Sequence, residues 1–475
     1  MCILERFVEG GTVRIKFLGA AREVTGSRHT ISIPGESVLL DCGLYQGKRK
    51  LTYERNKNIP RAALNANAML LGHAHIDHSG NIPNLVSSGF RGKIYATSAT
   101  VDLCRFMLLD SAYLQEKDVE YVNKRRRRRG EELVEPLYTS QDTLESLNLF
   151  VSKPYNRWFR VTKNISAKFC DAGHVLGSAV TVLRVKDRGK LLKIGYAVDL
   201  GRKRIPILRD PVQIKGVDYL IIESTYGNRL HEKVEESEKV LEDTVNRIVR
   251  QRGKLIIPSF TLERTQEVVY HLHNLIEEKR IPAIPIFVDS PLAVNITSVF
   301  RRHPECFDKE TMRLLRGKSD PFGFDYVTYI HEVDRSKALN EMEGPMVIIS
   351  ASGMAEGGRI LHHLKNNIES PRNIIMIVGY MAANTLGRRL VEKEKQVKIF
   401  GELYTRKADV VVANSFSAHA DRNGLIEYVT GVGKGIKHIF IVHGEESQAI
   451  PFAEALREMG YSVTVPHLGD EVKLP

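Results

Sequence analysis

The segment GHAHIDHSG (residues 72–80) follows directly on NAMLL (residues 67–71), an apolar run with the composition of a buried strand. Its ligand-type side chains crowd within six positions, which is denser than the solvation of a loop requires; they are His73, His75, Asp77 and His78. On a tight loop after a strand, alternate side chains converge, so this segment predicts ligands for two neighbouring metal ions. Histidine nitrogens beside carboxylates favour zinc, and they are also compatible with manganese or iron.

Four side chains cannot fill the coordination spheres of two metal ions, so further ligands must come from other parts of the chain. The candidates are His174 in FCDAGH, Asp199 at the end of YAVD and His443 at the end of IFIVH. Each follows or ends a predicted strand and lies close to glycine, where a side chain is presented at the carboxyl end of the strand. The sequence therefore predicts a metal centre assembled from distant segments.

The first part of the chain contains short segments of strand type that are closed by glycine or by a Pro-Gly turn: VRIKFLG, HTISI and SVLLDCG. Residues 99–148 have the three-to-four spacing of a helix. After residue 226 the pattern changes to continuously apolar strands, each followed by a helical stretch: KLIIPSF, IPIFVDS, PMVIISAS and NIIMIVGY. This rhythm predicts a parallel sheet flanked by helices, in a second domain inserted into the first. We expect the later strands VVVANSF and HIFIVHG to rejoin the first domain.

The composition is that of a globular protein with an excess of positive charge. Of 475 residues, 69 are Lys or Arg and 57 are Asp or Glu, so the formal charge is +12 and favours anionic partners. A hydrophobic content of 43% excludes a wholly disordered or collagen-like chain. The five cysteines include no CxxC pair, which is typical of a reducing compartment. No apolar run reaches the ~20 residues of a membrane span, and MCILERFVEG has no signal-peptide core; we therefore predict a cytoplasmic protein without a membrane partner.

The motifs taken together resemble those of the metallo-β-lactamase superfamily, and more closely those of its β-CASP branch of RNA-processing nucleases. They are DCG at Asp41, HAHIDH, GHVLGS, AVD, EST at Glu223, SAHAD at His419 and VHGE at His443. The resemblance implies an α/β fold, in which a metallo-β-lactamase αββα sandwich carries an inserted βα (β-CASP) domain with a mainly parallel sheet. It places the metallo-β-lactamase domain at residues 1–227 and 398–475, and the inserted domain at residues 228–397.

The resemblance also implies roles for the site residues. One zinc ion would be held by His73, His75 and His174, a second by Asp77, His78 and His443, and Asp199 would bridge the two. Asp41 would orient a ligand histidine, and Glu223 would orient His419, which would donate a proton to the leaving oxygen. The implied activity is hydrolysis of RNA phosphodiester bonds by a two-metal mechanism, at internal bonds, from the 5′ end, or both.

Glycine-rich and basic stretches of the inserted domain offer RNA contacts. SASGMAEGGR (residues 350–359) follows a strand and opens a helix, so its backbone N–H groups could hold a phosphate, although a tight turn would also need glycine. By resemblance, PSFTLERTQE and GYMAANTLGRRL would line the RNA cleft, although their arginines could equally solvate helix faces. The predicted contacts are Arg264, Thr265, Ser352, Gly353, Arg359, Thr385 and Arg388. KRRRRR (residues 124–129) could grip phosphates, form solvated surface or serve nuclear targeting.

Three rival functions share parts of this pattern. A small-molecule hydrolase of the thioester or lactam kind shares HxHxDH, but it needs neither the inserted domain nor the cationic surplus. A DNA-directed β-CASP nuclease usually has an apolar residue where this chain has His443, so the histidine favours RNA, and single-stranded RNA is the expected partner. A non-catalytic scaffold would have lost ligands, whereas each ligand position is filled here. The sequence leaves open whether the chain forms a homo-oligomer.

Overall fold

The computed structural model describes residues 13–47, 49–231, 234–317, 319–379, 381–382, 384–413 and 417–475. They form two compact units. The first unit takes in the described residues up to 204 together with residues 210–230 and 419–475, and the second takes in residues 205–209 and 231–418. The chain therefore returns to the first unit at His419, where the sequence-based domain limit is residue 398.

The first unit contains two seven-stranded sheets. The first sheet has the order β22-β1-β2-β3-β4-β5-β6, with antiparallel pairing from β22 to β3 and parallel pairing from β3 to β6. Its strands are β1 (Val13–Phe17), β2 (His29–Ile33), β3 (Glu36–Leu40), β4 (Ala68–Leu70), β5 (Lys93–Ala96), β6 (Phe150–Ser152) and β22 (Glu471–Leu474).

The second sheet has the order β21-β20-β11-β10-β9-β8-β7. Pairing is antiparallel from β7 to β10 and parallel from β10 to β21. The strands are β7 (Trp158–Arg160), β8 (Ile165–Asp171), β9 (Ala179–Asp187), β10 (Lys190–Ala197), β11 (Tyr219–Ile222), β20 (His438–Ile441) and β21 (Val463–Thr464). The strand HIFIVHG thus lies in the first unit, as predicted.

The two sheets pack face to face. Val38 and Leu40 of β3 belong to one buried cluster with Phe169 of β8 and Ile221 of β11, so the inward positions of both sheets share a core. Helices cover the outer faces, which gives an αββα sandwich. The helices of this unit are α1 (Arg49–Lys57), α2 (Arg61–Leu64), α3 (Ile76–Ser79), α4 (Ile82–Ser87), α5 (Ser98–Arg128), α6 (Ser140–Leu147), α14 (Arg422–Val432) and α15 (Glu446–Glu458).

The stretch predicted as helical at residues 99–148 is two helices, α5 and α6. Gly130 has a positive φ of 65°, which is typical of a residue just beyond a helix end. Thr139 then begins α6 with a capping box, in which its side chain accepts from the backbone N–H of Asp142 and its own N–H donates to the Asp142 carboxylate. No helix of the described ranges is both long and apolar enough to cross a membrane.

The second unit is built on a six-stranded parallel sheet of order β14-β13-β15-β12-β16-β19. Its strands are β12 (Lys254–Pro258), β13 (Ile286–Asp289), β14 (Val327–Tyr329), β15 (Met346–Ser350), β16 (Ile374–Ile377) and β19 (Asp409–Val412), beside a hairpin of β17 (Gln396–Ile399) and β18 (Glu402–Thr405). The helices are α7 (Val234–Gln251), α8 (Arg264–Glu277), α9 (Pro291–Arg302), α10 (Lys309–Arg316), α11 (Val333–Glu341), α12 (Arg359–Asn367) and α13 (Leu386–Val391), with a 3₁₀ turn at Pro304–Cys306. The parallel sheet predicted from the apolar runs is confirmed.

One strand was placed wrongly from the sequence. We expected VVVANSF to rejoin the first domain, but β19 pairs in parallel with β16, where Ile375 lies opposite Val410, and so extends the sheet of the second unit. A short apolar run can pair at the edge of either sheet, and its hydrophobic pattern does not distinguish them. The end of this motif, residues 414–416, lies outside the described residues.

Candidate metal centre

The loop after β4 carries the densest group of ligand-type side chains. His73 and His75 precede α3, and Asp77 and His78 lie within it. The Ser79 hydroxyl donates to the carbonyls of Ala74 and His75 at 2.9 and 3.0 Å, which fixes the turn into the helix. The sequence folds tightly here because this segment must turn immediately after a buried strand.

Neighbouring loops hold this segment from the other side. The N–H groups of Ser27 and Cys42 donate to the carbonyls of Asp77 and His78 at 2.9 and 2.8 Å. At Gly43, a Cβ atom would lie 1.5 Å from the Asp77 carbonyl oxygen, so this close approach requires glycine. The glycine of the DCG motif is therefore explained by packing against the histidine-bearing helix.

A first group of four ligand atoms is formed by side chains from three separate segments, and these atoms lie within 4.8 Å of one another; the residues are His73, His75, His174 and Asp199. Nδ1 of His75 lies 3.0 Å from Nε2 of His73 and 3.3 Å from Nε2 of His174. Oδ2 of Asp199 lies 3.5 Å from Nε2 of both His73 and His174. Three ring nitrogens and one carboxylate oxygen thus face a common point.

A second group lies beside the first and consists of Asp77, His78 and His443. Nε2 of His78 is 2.9 Å from Nε2 of His443, and Oδ2 of Asp77 is 3.6 Å from the same His443 nitrogen. Asp199 touches both groups, since its Oδ2 is 3.4 Å from Nε2 of His78 and its Oδ1 is 3.3 Å from Nδ1 of His443. The carboxylate of Asp199 therefore lies where a bridging ligand would have to lie.

The chemistry of these donors fits divalent metal ions. Burial lowers the pKa of His73 and His174 well below the usual value, and it lowers the pKa of His75 to about 4, so these rings are neutral at physiological pH. A neutral imidazole has a nitrogen lone pair that can bind a metal ion, and three such rings converge here. Nitrogen and carboxylate donors suit zinc, which the sequence predicts.

Asp41 fixes the orientation of a histidine in the second group. Its Oδ2 is 2.8 Å from Nδ1 of His78, so the Nε2 atom of that ring faces the ligand cluster. The N–H of Gly72 donates to Oδ1 at 2.8 Å, and the hydroxyl of Tyr196 donates to Oδ2 at 2.7 Å. Sequence reasoning missed Tyr196, for which the available signal was a polar side chain at a buried position of β10.

Glu223 and His419 form a separate pair beside the histidine cluster. Nδ1 of His419 lies 3.2 and 3.1 Å from the two oxygens of Glu223, which is fully buried. The N–H of Leu200 donates to the same carboxylate at 2.5 Å. Burial by itself would lower the pKa of His419, but the negative charges of Glu223 and Asp199 outweigh it and raise that pKa to about 9. The ring therefore holds a proton at neutral pH.

Two backbone loops pack closely to bring His419 to the cluster. Gly201 pairs with His419 in an isolated antiparallel bridge, and the N–H of Ala420 donates to the carbonyl of Leu200 at 2.7 Å. A Cβ atom on Gly201 would lie 1.7 Å from the carbonyl oxygen of Gly173, next to His174. Gly201, two residues after Asp199, is therefore required for the close approach of the loops that carry His174, Asp199 and His419.

Comparisons with known proteins agree with this geometry. A family model described as Beta-Casp domain matches residues 265–390, and one described as Zn-dependent metallo-hydrolase RNA specificity domain matches residues 404–466. The chain is 35% identical to Ribonuclease TTHA0252 of Thermus thermophilus, over 97% of this chain and all (100%) of that protein. It belongs to the β-CASP family of metallo-β-lactamase-fold RNA nucleases.

Other similar proteins support this membership. An RNase J-like protein of Methanocaldococcus jannaschii is 31% identical over 93% of this chain and 94% of its own length. Transcription termination factor FttA of Methanosarcina mazei is 28% identical over 94% of this chain and 69% of its own. A crystal structure of a protein of unknown function from Enterococcus faecalis shares the fold, with a TM-score of 0.56, 13% identity and coverage of 97% of this chain and 100% of its own. Membership confirms the predicted fold class and the hydrolase class.

The seven predicted RNA contacts from Arg264 to Arg388 belong to the second unit, whereas the metal cluster belongs to the first. Arg264 and Thr265 begin α8, where the Arg264 guanidinium is buried and bonded to the Glu267 carboxylate. The Thr265 hydroxyl donates to the carbonyl of Phe260 at 2.7 Å and to the Ser259 hydroxyl at 3.2 Å. These side chains stabilise the turn between β12 and α8.

The remaining predicted contacts also have partners within the second unit. Arg359 donates to Asp289 at 2.6 Å and to the carbonyl of His331 at 2.5 Å. A Cβ atom on Gly353 would lie 2.6 Å from the Phe260 ring, so any other residue there would have to displace that ring. The other members have local partners: Ser352 accepts from the N–H of Glu356 in the turn before α12, Thr385 caps α13, and Arg388 pairs with Glu392. Their contact with RNA stays a prediction.

Proposed function

We propose that this protein is a zinc-dependent ribonuclease that hydrolyses phosphodiester bonds with two metal ions. One observation carries the proposal: two groups of ligand-type side chains, drawn from distant segments, converge side by side and share Asp199. Names of similar proteins, which include a ribonuclease and an RNase J-like protein, support RNA as the substrate.

We assign the first ion to His73, His75 and His174, and the second to Asp77, His78 and His443, with Asp199 shared. When bound, two zinc ions supply Lewis acidity, which activates water at neutral pH and stabilises charge on the phosphate. Asp41 and the Tyr196 hydroxyl keep the His78 ring in the orientation that this assignment needs. Burial alone would raise the pKa of Asp77, but its interaction with His443 outweighs burial and holds that pKa below its usual value, so Asp77 is an anion.

His419 has the properties of a general acid. Its Nδ1 is held by Glu223, and the raised pKa of about 9 keeps the ring protonated at neutral pH. A proton on Nε2 would pass to the departing 3′ oxygen, and cleavage would leave a 5′-phosphate and a 3′-hydroxyl. Glu223, which is buried and accepts from the backbone N–H of Leu200, would stabilise the imidazolium.

The test is digestion of one RNA labelled at either end, prepared with a 5′-phosphate or a 5′-triphosphate, by protein stripped of metal and then reloaded with zinc or manganese. We expect cleavage that depends on added metal, and the two labels separate internal cutting from trimming at the 5′ end. Single-stranded DNA and a thioester are tested in parallel, and hydrolysis of either one in preference to RNA contradicts the proposal.

A substitution ties this activity to the ligand assignment. Asp77→Ala should abolish metal-dependent cleavage while the chain stays folded, since its side chain is at the partly exposed mouth of the second group. The matched control is Asp334→Ala, which removes a carboxylate that is 96% exposed and far along the sequence in α11. Full activity in Asp77→Ala would contradict the two-metal assignment.

A further inference from the structure

The second half of α5 extends beyond the core of the first unit. Its buried side chains end at Ala112. One side of the helix beyond that point is covered by residues 131–138, because Asn123 exchanges hydrogen bonds with the backbone of Val134 at 2.9 and 3.0 Å, and the Ser111 and Tyr138 hydroxyls lie 2.8 Å apart. The opposite side of the helix is exposed.

Aromatic and cationic side chains alternate along the exposed side. Tyr113, Lys117, Tyr121 and Arg125 follow one another at intervals of four residues, which places them in one row. The two tyrosines are 54% and 59% exposed, although tyrosine usually buries its ring. Lys117 Nζ is 5.8 Å from the Tyr113 ring centre, and Arg125 Cζ is 4.9 Å from the Tyr121 ring centre.

The end of the helix adds positive charge that its own surroundings balance only in part. Arg126 and Arg129 pair with Glu131 at 3.2 and 3.8 Å. Lys117 pairs with Glu120 at 2.9 Å, and the same carboxylate acts on Lys124 at longer range, whereas the exposed side chains of Arg125 and Arg128 have no carboxylate within ion-pairing distance among the described residues. Crowding of like charges costs free energy, which an anionic partner would recover.

Rings and cations in this arrangement match the chemistry of single-stranded nucleic acid. Bases stack on exposed aromatic rings, and phosphates between them pair with Lys and Arg. At a rise of about 1.5 Å per residue, the two tyrosines are roughly 12 Å apart along the helix axis, with cations before and after the second ring. Charge alone would also suit an anionic membrane, but such a helix needs an apolar face, and Leu114 is the exposed aliphatic side chain here.

We propose that this exposed side of α5, the tyrosine–cation face (Tyr113, Lys117, Tyr121, Lys124, Arg125 and Arg128), binds single-stranded RNA. The face stacks bases on its rings and holds backbone phosphates with its cations. This proposal rests on the proposed function, because the RNA that the face would bind is the substrate of the ribonuclease. The face belongs to the unit that carries the metal centre, and it would hold substrate at a position separate from the reacting bond.

The test is fluorescence anisotropy with a fluorescein-labelled oligouridylate, measured with the full chain in EDTA so that binding is separated from cleavage. Y113A/Y121A should weaken binding by about fivefold or more for each ring removed, with an unchanged dependence on salt. Y113F/Y121F keeps both rings and should bind like the unsubstituted protein. Circular dichroism verifies that each variant retains its helix content.

The cations are tested by their salt dependence. K124S/R125S/R128S should lower the slope of log Kd against log salt by about 0.7 for each RNA phosphate that the variant no longer neutralises. The matched control, K186S/R188S/K190S, removes the same charge from exposed positions of the β9–β10 hairpin in the same unit and should bind normally.

Unaltered affinity in Y113A/Y121A, or equal losses in the two charge variants, would overturn the proposal. The proposal would also be overturned if the tyrosine–cation face bound phosphatidylserine vesicles tightly while its substitution left the affinity for RNA unchanged. Wild-type cleavage of RNA is measured separately with metal. Cleavage with no binding effect contradicts the tyrosine–cation face alone, whereas binding effects without any cleavage contradict the ribonuclease proposal alone.

Discussion

Each of the two units buries a cluster of ionisable side chains, and the two clusters are built on different principles. In the second unit, the cluster around Asp289 satisfies itself. Oδ2 of Asp289 accepts from the Ser336 hydroxyl at 2.5 Å and lies 2.6 Å from Nε2 of His363, while Oδ1 accepts from Arg359 at 2.6 Å. Burial alone would raise the pKa of Asp289, but these bonds outweigh it and lower that pKa. Both carboxylate oxygens of Asp289 therefore have donors.

In the first unit, the histidine cluster does not satisfy itself. Ring nitrogens of His78 and His443 face each other at 2.9 Å, and those of His73 and His75 face each other at 3.0 Å. Oδ1 of Asp199 is buried without a hydrogen-bond partner among the described residues, whereas both oxygens of Asp289 have donors. An unpartnered buried carboxylate oxygen beside converging ring nitrogens therefore marks the metal centre, and burial and charge alone do not.

The largest expected effect is on catalysis, and it concerns His419 beside the histidine cluster of the first unit. His419→Ala should reduce kcat for RNA by about 10²–10⁴-fold, since it removes the general acid. The metal content should stay unchanged, because His419 lies outside both ligand groups. Steady-state kinetics and elemental analysis measure the two quantities, and His467→Ala, at an exposed histidine of the same unit, is the control. Lost zinc, or turnover like that of the control, would contradict the role given to His419.

The Asp289 cluster should matter for stability and not for metal. Asp289→Asn leaves Arg359 without its buried counter-charge, so the free energy of unfolding should fall by about 3–5 kcal/mol. Asp409→Asn is the matched control, because the pair of Asp409 with Arg247 is half-exposed and should contribute about 1 kcal/mol or less. Urea unfolding and elemental analysis check both; zinc lost from folded Asp289→Asn protein would break the distinction.

A smaller effect is expected at the residue that orients His78. Asp41→Asn should weaken metal binding by about 10–100-fold, because the ring loses the carboxylate that fixes its orientation. Competition with a zinc chelator measures the affinity. Tyr196→Phe keeps the carboxylate and removes one donor to it, so its loss should be smaller. Equal affinities in Asp41→Asn and the unsubstituted protein would show that the orientation of His78 does not depend on Asp41.

The smallest effect concerns His438, a buried histidine whose ring nitrogens have uncharged hydroxyl groups as hydrogen-bond partners. Burial, aided by the charge of Arg457, lowers the pKa of His438 from 6.5 to about 4. Between those values the unfolded chain binds a proton that the folded chain does not, so this contribution to stability is present above pH 6.5 and is lost as the pH falls toward 4. His438→Gln should therefore lose less stability than the parent between pH 7 and 5, by about 1–2 kcal/mol. Urea midpoints at both values check the difference, and identical losses would contradict it.

Much of the site could be predicted because its metal-ligand residues and the glycines beside them occur together in short sequence motifs. The HxHxDH motif places four ligand-type side chains in one loop, and each of the single residues His174, Asp199 and His443 follows the end of a strand by two or three residues. The partner of Arg359 could not be predicted in this way, since Asp289 lies 70 positions away and only the folded sheet brings the two together. The same holds for the contact of Tyr196 with Asp41, and for β19, whose apolar run has the pattern of an edge strand of either sheet but pairs with β16.

The central claim is that two metal ions lie side by side in the first unit, and anomalous diffraction at the zinc edge tests it most directly. In crystals grown with zinc we expect two strong peaks. One should lie among the ring nitrogens of His73, His75 and His174, the other beside Asp77, His78 and His443, with Asp199 touching both. A single peak, or imidazoles turned away from a site without any peak, would contradict the two-metal centre.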